Sequence, residues 1–138
     1  AIFPGTQGGP LMHIIAAKAQ CFIEANTDEF KEYCVKVKEN ANHMCDIFRD
    51  NNIPILTGGT DSHLVLIDLS DKNHSGRVIA DKLEENGITV NKNGIPKDPR
   101  SFVETSGIRI GTAAETTKGH GRNWFRELAR KISEIINE

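Results

Sequence analysis

The alternation of apolar and polar residues divides the chain into helix-like and strand-like stretches. Leu11, Ile14, Ile15, Cys21 and Phe22 recur at three- and four-residue intervals after Pro10. This predicts a helix with the proline as its first residue and an end near Asn26. Thr27 stands where an N-cap belongs, with Asp28 and Glu29 favourably placed in the first turn. A second helix puts Phe30, Cys34, Val37, Ala41, Met44, Cys45 and Phe48 on one face and Lys31, Glu32, Lys38 and Glu39 mostly on the other. Asp50-Asn51-Asn52 stops it.

Residues 53–56 read as a short strand and residues 57–61, TGGTD, as a turn. The run HLVLIDL at 63–69 is the clearest strand, with Leu64, Leu66 and Asp68 on one face and His63, Val65, Ile67 and Leu69 on the other. Val78, Ile79 and Leu83 mark an amphipathic helix ending at Gly87. Residues 88–90 read as a strand, 91–106 as a long polar loop and 108–110 as a final strand. A last helix starts at about Asn123, with Phe125, Leu128 and Ile132 inward. The order predicts an α+β domain, a small sheet covered on one face by helices.

Composition narrows the class without changing that picture. With 138 residues, 38% hydrophobic and 26% charged, the chain suits one globular domain with a genuine core. A net charge of −2 offers no electrostatic handle for nucleic acid or an anionic membrane. No apolar run reaches the length of a membrane span. The three cysteines, Cys21, Cys34 and Cys45, are odd in number and widely spaced. They are expected to be buried, reduced thiols in a cytoplasmic protein rather than disulfides or zinc ligands. The five histidines show no metal-ligand spacing, so no metal site is expected. The missing initiator Met and the orphaned first helix suggest a piece of something longer.

Four stretches invite chemistry. In FPGTQGGP, glycines before a helix would let an anion such as phosphate approach backbone N–H groups; a plain tight turn is the alternative. Arg109, between Ile108 and Ile110, either holds a carboxylate with its planar fork or makes a surface salt bridge. Asn91 and Asn93 begin a loop that either recognises a heterocycle or is merely solvated. His63, after GGTDS, is either an acid–base group or an orderer of the neighbouring turn.

Taken together, FPGTQGGP, GGTDSHLVLIDL, GITVNKN and SGIRIGT resemble, in this order and spacing, the C-terminal part of serine hydroxymethyltransferase. The resemblance implies an aspartate-aminotransferase-like fold of the pyridoxal 5'-phosphate enzymes (fold type I) and a homo-oligomer, at least a dimer. It implies serine–glycine interconversion with transfer of the one-carbon unit to tetrahydrofolate. Residues 1–26 would close the large cofactor domain, and residues 27–138 would form the C-terminal small domain. By position, the backbone of Gly8 and Gly9 would approach the phosphate of a cofactor bound mainly by the neighbouring subunit. Arg109 would hold the substrate carboxylate. Asn93 would contact the folate pterin, with Ser101, Phe102 and Val103 forming another part of the folate site.

The chain departs from the family pattern at Ser62, where Asn is common, at Phe102 and Ala113, where Pro is, and at Lys118, where Arg is. The THKT motif, whose lysine carries the cofactor, does not occur. No catalytic residue is therefore assigned within this chain, which alone is expected to be inactive. A non-catalytic small-molecule-binding or interaction domain of the same fold is the alternative.

Overall fold

Three antiparallel strands, β1 (Leu64–Asp68), β2 (Asn91–Asn93) and β3 (Gly107–Gly111), form a sheet in the order β1-β3-β2. The computed structural model describes residues 2–138. Five helices accompany the sheet: α1 (Met12–Ala25), α2 (Asp28–Asp50), α3 (Gly76–Glu85), α4 (Ala113–Thr117) and α5 (Arg122–Asn137). The chain divides into two compact units, residues 1–34 and 35–138.

The larger unit is an α+β domain. Val65 and Ile67 of β1 and Ile108 and Ile110 of β3 turn to one face of the sheet and are buried. Met44, Cys45 and Phe48 of α2, Ile79 and Leu83 of α3, and Phe125, Ala129 and Ile132 of α5 complete the same core. The period-two pattern of β1 and the helical stripes of α2, α3 and α5 thus meet as expected. The Ser75 hydroxyl caps α3 by accepting from the Val78 amide at 3.3 Å, and Gly87 follows that helix with φ +73°.

Several details differ from the sequence reading. Residues 53–56 form no ladder: Ile55 makes a single bridge to Ile67, and a 3₁₀ turn follows at Leu56–Gly58. Pro54 and the left-handed Thr57, φ +64°, bracket that bridge. The second strand lies at Asn91–Asn93 rather than 88–90, so the asparagines belong to the sheet and not to the loop. The short α4 carries too few residues for a period to show. Pro10 is not the first helical residue; Leu11 is the N-cap of α1 and supplies no side-chain bond.

In the smaller unit, Thr27 caps α2, its hydroxyl accepting from the Phe30 amide at 3.2 Å. No residue of α1 is buried, and Met12, Ile14, Ile15, Phe22 and Ile23 lie exposed on it. Phe30 and Cys34 are exposed as well; the apolar face of α2 becomes buried only from Val37 onward, within the larger unit. Of the cysteines only Cys45 is buried, whereas Cys21 and Cys34 are exposed, contrary to expectation.

Candidate functional site

Arg109 occupies the middle of the central strand, opposite Leu66 on β1 and Asn91 on β2. Cross-strand partners project to one face, so the face away from the core also carries Leu64, Asp68 and Asn93. Along β3 itself, the neighbours of Arg109 on that face are Gly107 and Gly111, which add no side chain. Its side chain is exposed and forms no hydrogen bond or ion pair with any described residue. Asp68, an acid on the same face, instead accepts from the Ser70 amide at 2.8 Å. Among the described residues, the salt-bridge alternative therefore finds no partner.

A shallow groove of about 690 Å³ adjoins Leu66, lined by residues 56–61 with Leu64 and Leu66. Its wall is the GGTD turn. Thr57 and Gly58 both take positive φ, and the Thr57 hydroxyl donates to the Gly59 carbonyl at 3.2 Å. The Thr60 hydroxyl accepts from the Ser62 amide at 3.1 Å, and the Ser62 hydroxyl accepts from the Leu64 amide at 3.2 Å. Thr60 and Ser62 thus order the turn with their side chains. His63 contributes its carbonyl, which accepts from the Thr112 amide at 3.1 Å. The buried Thr112 hydroxyl donates to the Val37 carbonyl at 2.9 Å and fixes the end of β3 to α2.

Asn93 lies on the Arg109 face, opposite Gly107, and its side-chain amide donates to the Gly94 carbonyl at 2.7 Å. Ser101, Phe102 and Val103 are exposed, Phe102 to 93%. Lys92 projects to the other face of β2, and its ammonium donates to the Val103 carbonyl at 2.6 Å. The structure thus brings Arg109 and Asn93 onto one face. It ties residues 101–103 to Lys92 and not to Arg109.

The loop behind these residues is ordered by two side chains that pattern reading passed over. The Asp98 carboxylate accepts from the amides of Ile95 (3.1 Å), Arg100 (2.9 Å) and Ser106 (2.9 Å). Arg100 donates to the carbonyls of Leu69 (3.0 Å) and Lys72 (2.7 Å) and to the Ser106 hydroxyl (3.0 Å). Hydrogen bonds, that of the Ser106 hydroxyl foremost, hold Asp98 well below the usual carboxylate range. The Ser75 hydroxyl, with Arg77 behind it, similarly lowers Glu104. The available signal was an Asp two residues before Arg in DPR, the spacing of an Asx-turn.

Gly8 and Gly9 precede α1 in the smaller unit. A Cβ at either would meet nothing within 4 Å, and neither glycine makes a hydrogen bond to a described residue. Open Cα faces and unengaged amides suit the approach of a phosphate. Among the described residues, no three His, Cys, Asp or Glu side chains gather as a metal site, and no helix is long and apolar enough to cross a membrane.

A family model described as serine hydroxymethyltransferase matches residues 1–132. The chain is 52% identical over 136 residues to serine hydroxymethyltransferase 2 of Burkholderia pseudomallei (strain 1710b), covering 99% of this chain and 32% of that protein. Serine hydroxymethyltransferases of Wolbachia pipientis wMel and of Wolbachia sp. subsp. Brugia malayi (strain TRS) match over the same shares, at 52% and 50% identity. The chain thus spans about a third of the length of these curated relatives. Matched over 99% of its length by such relatives and over residues 1–132 by the family model, the chain belongs to the serine hydroxymethyltransferase family.

Proposed function

We propose that this chain forms the substrate-carboxylate and folate-facing part of a pyridoxal-phosphate-dependent serine hydroxymethyltransferase of aspartate-aminotransferase-like fold. The observation that carries the reading is the unpaired Arg109 in the middle of an open sheet face, flanked by glycines. A guanidinium fork so placed binds the carboxylate of serine or glycine bidentately and fixes the orientation of the amino acid. Asn93, on the same face, offers a carboxamide to the pterin of tetrahydrofolate. Ser101, Phe102 and Val103 provide a further folate contact. The Gly8 and Gly9 amides would receive the cofactor's phosphate, donated across a dimer interface. Bound, pyridoxal phosphate supplies an electron sink for chemistry at the amino acid's Cα.

One feature supports the wider assignment. A helix apolar over most of its circumference is one that other protein covers, and α1, polar chiefly along His13, Gln20 and Glu24, has no buried residue here. That fits residues 1–26 closing a large cofactor domain in a homo-oligomer, which we place in the cytoplasm. The chain also lacks THKT, so we expect no turnover from it alone.

The test is Arg109→Ala and Arg109→Lys in the full-length protein that carries this chain. Losing charge-assisted hydrogen bonds worth about 1.5–3 kcal/mol should raise the KM for serine roughly 10- to 150-fold. The KM for tetrahydrofolate should move less than threefold, and Lys should restore only part of the loss. Equal losses for both ligands would remove the assignment.

A further inference from the structure

We propose that Asp98 and Arg100 are positioning residues that hold Ser101-Phe102-Val103 in fixed register with Asn93, so that the loop is ordered before any ligand arrives. The inference rests on the reading of these residues as folate-facing. Its basis is where the two side chains reach. Residues 94–106 join β2 to β3. The Asp98 carboxylate accepts near the start of this loop, at Ile95, in its middle, at Arg100, and at its end, at Ser106. One carboxylate thus closes the loop on itself immediately beside both strands.

Arg100 fixes the closed loop to a third place. Its fork spans the Leu69 and Lys72 carbonyls just past β1 and also holds the Ser106 hydroxyl. A lysine, a single point charge, does not span three such acceptors in one fixed geometry. The Ser106 carbonyl in turn accepts from the Leu69 amide at 2.7 Å. The base of the loop is therefore bound to both neighbours of the central strand.

What remains is the tip, a short turn closed by the Thr105 amide on the Ser101 carbonyl at 2.8 Å. Phe102 stands on it 93% exposed. An aromatic ring on a loose loop is costly to immobilise at each binding event, whereas on a clipped base most of that entropy is already lost. Neither Asp98 nor Arg100 needs to touch the ligand for this.

The experiment compares Asp98→Ala, Asp98→Asn and Arg100→Lys in the full-length protein. Kinetics with serine and tetrahydrofolate are measured beside amide hydrogen exchange over residues 94–106 of the ligand-free protein. Asp98→Ala should raise the KM for tetrahydrofolate tenfold or more, with the serine KM and the kcat at saturating folate within twofold. Exchange at 99–104 should quicken without ligand. Asp98→Asn keeps one carbonyl oxygen for the Ile95 and Ser106 amides, so it should fall between Ala and wild type in both readouts. It and Arg100→Lys serve if the alanine variant does not fold. Unchanged exchange with an unchanged folate KM overturns the inference, as does a parallel rise of both KM values. A wild-type protein that turns over neither ligand overturns the functional reading and the inference that rests on it. Exchange rates then separate that failure from a failure of the clip itself.

Discussion

Two glycines flank Arg109 on one strand and one face, yet an added methyl group meets different surroundings at each. A Cβ at Gly107 would lie 2.8 Å from the Asn93 carbonyl oxygen, 2.8 Å from Ile95 Cγ2 and 3.0 Å from the Ile67 carbonyl oxygen. Two of these atoms are backbone and cannot rotate away. At Gly111 the nearest atom is Leu64 Cδ2 at 3.5 Å, an ordinary contact. Overpacking costs about 1–3 kcal/mol, and the fixed carbonyls put Gly107→Ala in the upper half of that range. Gly111→Ala removes an entropy penalty of about 0.5–1 kcal/mol for glycine within a strand and should be neutral or mildly stabilising. That entropy term is common to both substitutions, so the two variants should differ by the overpacking cost alone, about 2–3 kcal/mol. With a urea slope of about 1–3 kcal/mol/M, their midpoints should separate by about 1 M or more. The clash at Gly107 is relieved most readily by moving β2 at Asn93, so on the proposed folate role of Asn93 the tetrahydrofolate KM of the full-length variant should rise too. Equal urea midpoints for the two variants would refute the packing argument. A lowered Gly107→Ala midpoint with wild-type folate binding would refute its link to Asn93.

Two further predictions concern acid and thiols. Asp98 and Glu104 are held below their ordinary values of 3.8 and 4.5, so the stability they contribute is complete above those values and is lost as pH falls through the lowered ones. A plot of urea midpoint against pH should flatten below about 4.5 in Asp98→Asn and Glu104→Gln; an unchanged acid limb in both would remove these carboxylates as its source. Burial raises the Cys45 thiol and shields it, whereas Cys21 and Cys34 are exposed. In this chain a thiol reagent should modify two cysteines at once and Cys45 only on unfolding; rapid modification of Cys45 would contradict the packing of α2.

The helices and β1 were legible because burial imposes a period. Met44, Cys45 and Phe48 on α2, and Val65 and Ile67 on β1, are apolar where the core requires it. β2 was misplaced by the same logic. Ile88 and Val90 look strand-like and pack partly against the core, yet the ladder to β3 is made by Asn91, Lys92 and Asn93. At a sheet edge, pairing follows the backbone of the neighbour, and hydrophobicity need not mark it. The stretch 91–106 read only as a long polar loop, because the order of its 94–106 part comes from Asp98 and Arg100 bonding to main-chain groups, which leaves no periodic trace. Arg109 stood out as an arginine between two isoleucines, but only the register showed that its face holds no partner for it.

That face is hard to explain by stability. The outer side of a small sheet is ordinarily strengthened by cross-strand pairs of β-branched, aromatic or oppositely charged residues. On the central strand this chain instead places Gly107, Arg109 and Gly111. The packing of the Asn93 and Ile67 carbonyls accounts for Gly107. Nothing comparable accounts for Gly111, whose site has room for a methyl group. A glycine within a strand costs about 0.5–1 kcal/mol, and an unpaired arginine returns nothing to the fold. Meanwhile Asp68, an acid that shares the face, is engaged by the Ser70 amide. The arrangement keeps a guanidinium accessible, unneutralised and free of neighbours along its own strand. A fold that accepts that cost on its central strand, while clipping the adjacent loop with Asp98 and Arg100, is what the proposed carboxylate-holding role of Arg109 would require.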